Sequence, residues 1–221
     1  MMLLPVLIAC NMLKPMEGTN PAATMDSPAN SLNPYDYAGQ LALKIATSSL
    51  KAYKQNGNSA NLSKTAHNNA DKIRGFKAPA PSLDPDQLKL SNEDPLLEIE
   101  NIIATANLSE IGSGMLNIYL QLIVYFVNDR TYNQMMWCIK SFESAIISEY
   151  AIPPADKKLL LVTTSLTRYS IYFQHTHLNK YTWNVIPVIR AAVTHGKTDI
   201  QQAIISAVAA DLNANYKTLQ N

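Results

Sequence analysis

Nine of the twelve prolines fall at or before Pro95, and this asymmetry constrains the chain more than any other feature. Proline fixes its own φ and removes a backbone donor, so a proline-dense stretch does not run as long helices. After Pro95 only Pro153, Pro154 and Pro187 interrupt a sequence whose apolar residues recur at steps of three and four. That recurrence marks amphipathic helices, and no segment shows sustained period-two alternation. The expected class is all-α: an antiparallel bundle of about six to eight helices behind a disordered N-terminal tether.

Residues 11–33 hold Pro15, Gly18, Pro21 and Pro28 among Thr, Ser and Asn. Such a stretch buries too little apolar surface to offset its ordering entropy, so 10–33 reads as a tether. Residues 34–55 read as a helix with Pro34 in its first turn and a stripe of Tyr37, Leu41, Ile45 and Leu50. A weaker helix over 60–74 carries Leu62, Ala66 and Ile73 and stops at Gly75. Together 34–75 are expected as peripheral helices. Pro79, Pro81 and Pro85 mark 76–94 as a linker.

The main helical domain is expected over 95–216. Asp94-Pro95 suits a helix start, with Leu96, Ile99, Ile103 and Ala106 on one face. Gly112 and Gly114 are expected in a turn. Leu116, Leu120, Ile123 and Val127 line the next helix. Thr131 can cap a helix carrying Met135, Ile139, Phe142, Ile146 and Tyr150. Pro153-Pro154 opens another with Leu159, Val162, Leu166, Tyr169 and Phe173. Asn184 is the expected cap of a helix with Pro187 in its first turn and Gly196 at its end. Thr198-Asp199-Ile200-Gln201 reads as a capping box ahead of Ile204, Ala207 and Ala210. The longest apolar run, Met115 to Val127, is too short to span a bilayer, which needs about 20 residues.

Leu7-Ile8-Ala9-Cys10, at the end of an apolar run, resembles the lipobox of a bacterial lipoprotein signal peptide. The resemblance covers these ten residues alone. Leu3–Ala9 is at the short end for an apolar leader and no Lys or Arg precedes it, so the signal peptide over 1–9 is expected to be a truncated one. The resemblance implies cleavage before Cys10, lipidation of its thiol with palmitate-type chains, and a membrane anchor on the extracytoplasmic side of a bacterial cell envelope. Cys138 lies in the apolar run Met135–Ile139, where a buried thiol acts as a small hydrophobe.

A net charge of +1, with no Lys/Arg cluster, argues against a nucleic-acid partner. His175-Thr176-His177 is the one close histidine pair. On a helix, i and i+2 point about 200° apart and cannot share a metal. Glu98, Glu100, Glu143 and Glu149 lack a Glu-x-x-His pattern, so solvated flanks are expected. Gly112-Ser113-Gly114 lacks the outer glycines of a nucleophile elbow, and no glycine-rich phosphate loop occurs. No catalytic residue, cofactor or metal ligand is expected.

Aromatic residues concentrate between Tyr119 and Trp183. Tyr125, Tyr132, Tyr172, His175, His177 and Trp183 are the ligand or partner candidates, with core packing as their competing role. The expected function is a membrane-tethered extracytoplasmic lipoprotein with a non-catalytic binding or structural role and a protein partner. The alternative is a periplasmic small-ligand binder or enzyme with an aromatic-lined cleft between helices.

Overall fold

The computed structural model describes residues 26–56, 62–77, 95–126, 131–178 and 183–215. Among the described residues there are eight helices and no strand. They are α1 (Asp36–Asn56), α2 (Leu62–Asp71), α3 (Pro95–Thr105), α4 (Glu110–Phe126), α5 (Tyr132–Ser148), α6 (Pro154–Leu178), α7 (Ile186–His195) and α8 (Ile200–Ala214).

Helix α6 is the axis of the molecule. Its 25 residues extend about 37 Å. Every residue from Leu159 to Ile171 is buried. Two apolar cores flank it. One joins α3, α4 and α5 to Leu159, Leu160, Leu161 and Ile171. The other joins α1, α2 and α8 to Val162, Leu166 and Phe173. Helix α7 serves both, giving Ile189 and Val193 to the first and Val188 and Ala192 to the second.

Helix α1 is not peripheral. It packs along α6 and α8 and buries Ala38, Ala42, Ile45, Ala46 and Leu50. Tyr37, expected on its core stripe, is 45% exposed. The first turns of the buried face carry small residues, Ala38 and Ala42, because α1 and α6 approach closely at Gly39. A Cβ there would lie 2.1 Å from Tyr169 Cδ2 and 2.8 Å from the Ser165 carbonyl oxygen. Gly39→Ala is therefore expected to cost about 1–3 kcal/mol, since the backbone of α6 cannot rotate away. At Gly114, mid-helix and with open space at its Cβ, the same change is expected to stabilise by about 0.5–1 kcal/mol. Paired urea titrations check the opposite signs.

Other expectations shift at helix ends. The glycines do not form a turn: α4 begins at Glu110 and runs through Gly112 and Gly114. Ser109 takes the start, its Oγ accepting from Gly112 N at 3.1 Å. Thr131 caps α5 in a full capping box with Gln134, and Tyr150, past the helix end, is 96% exposed. Val185, not Asn184, precedes α7, because the Asn184 backbone is engaged by Gln174. Asp199, one position beyond the expected Thr198, caps α8 through Gln202 N.

Phe76, expected at the head of a linker, is buried with α1, α2 and α8. Residues 78–94 lie outside the described residues, as do residues 1–25 and with them Cys10. The last eight residues of the expected tether, 26–33, are bonded into the body.

Candidate functional site

The chemistry of the interior centres on α6, whose buried face is polar as well as apolar: Thr163, Thr164, Ser165, Thr167, Arg168, Ser170 and Gln174 are all buried. A helix so placed must satisfy each polar group from its neighbours or lose stability. Arg168, fully buried, does so through two carboxylates. Its Nη2 lies 2.7 Å from Asp36 Oδ1 of α1 and 3.0 Å from Glu143 Oε1 of α5, and its Nε donates to Glu143 Oε1 at 3.1 Å. Burial alone would lower the Arg168 pKa, but Glu143 and Asp36 more than offset it and raise it. The guanidinium thus joins α1, α5 and α6 at one point.

Neutral donors complete both carboxylates. Thr164 Oγ1 donates to Glu143 at 2.7 Å, and the Tyr169 hydroxyl and Gln40 Nε2 donate to Asp36 at 3.1 and 2.9 Å. Burial first, and the Asp36 charge second, push the Tyr169 hydroxyl up to about 12. The segment 26–33 supplies the rest. Asn30 Nδ2 donates to Glu143 Oε2 at 2.6 Å, and Asn33 Nδ2 donates to Glu143 Oε1 at 2.7 Å and to the Leu161 carbonyl at 3.0 Å. These residues form a strap that closes the charged cluster from outside. Glu143 is fully buried, which corrects its expected place on a solvated flank: four donors replace the water it gives up. One charge-capable group remains open, since Arg168 Nη1 is buried without a hydrogen-bond partner among the described residues.

Two further polar links brace the fold. Gln174 Nε2 donates to Asp211 Oδ1 at 2.9 Å, tying α6 to α8. Asp156 accepts from Ser109 N at 2.8 Å and pairs with Lys197 at 3.0 Å. Burial pushes the Asp156 carboxyl up, but the Ser109 hydrogen bonds and Lys197 prevail and hold it below its usual value. The cavity between α1, α6 and α8, beside Ser170 and Asp211, has a volume of about 10 Å³. That is room for one water at most.

The aromatic candidates divide. The His175 ring stacks on Tyr132 with centroids 4.9 Å apart and meets Trp183 edge-on at 6.5 Å, while Tyr172 lies 6.3 Å from Tyr132. Four of the six candidates therefore converge, but ring against ring. His177 points the other way and stacks on Phe173 at 5.2 Å, as the i, i+2 relation on α6 requires. Burial lowers its pKa. Tyr125 is 70% exposed near the end of α4. Among the described residues, no three His, Cys, Asp or Glu side chains are grouped as metal ligands are.

Of the residues that organise the interior, Glu143 was expected only as a solvated carboxylate, and Arg168, Asp36 and Asn33 were not singled out by pattern. One signal was present. Arg168 is the only Asp, Glu, Lys or Arg between Lys158 and Leu178. A lone charge amid apolar and small hydroxyl side chains marks a buried, paired cation. Compared with models of protein families, with curated proteins and with solved structures, the chain matches none.

Proposed function

We propose that this chain is a lipid-anchored, extracytoplasmic helical body of the bacterial cell envelope that binds or braces a partner and does not catalyse. The observation that carries the reading is Leu7-Ile8-Ala9-Cys10, a small residue directly before cysteine at the end of an apolar run. The interior supports the non-catalytic part. Asp36, Glu143 and Asp156 are each committed to donors that join helices, and the aromatic rings pack on one another. Among the described residues no helix is long and apolar enough to cross a membrane, so attachment in this reading comes through Cys10.

Two or three acyl chains, at about 0.8 kcal/mol per buried methylene, hold a protein on a bilayer stably where one chain does not. Expression of the full chain in a bacterium fed a clickable palmitate analogue tests this. Wild type is expected to take up label, sediment with membranes and show a mass beginning at acylated Cys10. Cys10→Ser is expected to lose the label and keep the leader. A Cys10→Ser protein that labels and fractionates like wild type overturns the anchor.

A further inference from the structure

We propose that the face of α5 carrying Trp137 rests on a phospholipid surface, with the indole among the headgroups. The inference rests on the lipid-anchor reading and adds to it the orientation of the body on the bilayer.

The strap reaches the body along one stripe of α5. Asp26 N donates to Asn133 Oδ1 at 3.0 Å, and Lys140 Nζ donates to the Ser27 carbonyl at 2.7 Å. Asn133, Trp137, Lys140 and Ser144 follow at steps of four, three and four, which on a helix places them in one line. The chain arriving from Cys10 therefore meets the body at two points that bracket Trp137. A third bond holds it there, the Tyr132 hydroxyl donating to the Asp26 carbonyl at 2.8 Å.

Trp137 is 42% exposed on that stripe, and Leu32, further along the strap, is 68% exposed. The other tryptophan, Trp183, is 4% exposed. Tryptophan combines a large apolar body with one N–H, and it collects where hydrocarbon meets headgroup. Even fully extended, residues 11–25 cannot hold Asp26 more than about 55 Å from Cys10. A tether of that length keeps the stripe at millimolar effective concentration over the bilayer, so a weak apolar contact is enough to seat it. The occupant is lipid, because lipid is what the anchor brings to this face.

The test attaches the protein chemically, so that it does not depend on lipidation in a cell. The purified full chain is coupled through Cys10 to maleimide lipid in phosphatidylcholine vesicles. Cys138, 1% exposed, is shielded from coupling. Trp137 emission is expected to shift to the blue on coupling and to be quenched by brominated phosphatidylcholine. Trp183, buried, keeps its emission as an internal reference, and Trp137→Phe removes the quenched component. Emission that neither shifts nor quenches overturns the proposal. So does Trp137 emission that is already blue before coupling, which assigns the face to the chain's own residues or, if it varies with protein concentration, to a second copy. Failure of the Cys10→Ser fractionation experiment with quenching intact removes the anchor reading alone.

Discussion

Arg168→Met is expected to lose about 3–5 kcal/mol of stability, because it leaves Asp36 and Glu143 buried without their shared counter-charge. Both carboxylates reach the same guanidinium nitrogen, so removing it also sets two like charges close together. Against a total of about 5–15 kcal/mol for a domain, the variant would sit near its unfolding limit. Chemical denaturation followed by circular dichroism measures the loss. The triple variant Asp36→Asn, Glu143→Gln, Arg168→Met separates charge from packing, since it removes every net charge from the cluster. It is expected to recover part of the loss. A triple variant no more stable than Arg168→Met would show that the cost lies in packing around the guanidinium.

Phe142→Ala is expected to cost about 3–5 kcal/mol. The ring is fully buried and stacks on Tyr119 with centroids 5.1 Å apart and planes 25° from parallel. Tyr119 is itself fully buried, and burial raises its pKa steeply, so its hydroxyl stays neutral in the core. Losing the partner ring removes a stacking contribution of about 0.5–1.5 kcal/mol beyond the buried area. Leu97→Ala on α3, at 44% exposure, is the comparison and is expected to stay within about 0.5 kcal/mol. Equal costs for the two would contradict the placement of Phe142 at the centre of the first core.

The contrast between these two residues shows what the sequence carries. Phe142 belongs to an apolar stripe at helical spacing, and such stripes pointed correctly to α3 through α8 and to most of their buried faces. Periodicity of large side chains held on α1 at Ile45 and Leu50, which are buried, and failed at Tyr37, which faces out while Ala38 and Ala42 face inward, because the approach at Gly39 admits only small residues. It failed again at Gly112, where helix packing against Asp156 outweighs glycine's reluctance in a helix interior. The charged cluster left only the lone Arg168 as a signal, for another reason. Glu143 and Arg168 are surface residues by composition, and their burial depends on hydrogen-bond partners that lie far away in sequence. The aromatic group around Tyr132 was legible as a set of residues. That Tyr125 is exposed and that His177 faces Phe173 are matters of helix register and of which helices meet.

The strap and the charged cluster also set the order in which the molecule can form. Asn33 bonds to Leu161, 128 positions on, and Asp36 pairs with Arg168, 132 positions on. Contacts of such separation slow folding, because a long loop must close before they contribute. Until Arg168 has emerged, Asp36 lacks its buried counter-charge, and until α5 and Leu161 have emerged the strap lacks its partners on the body. A chain delivered amino end first thus cannot close its strap until most of its length has arrived. It is α5 and α6, arriving after more than half of the chain, that draw the first residues shut.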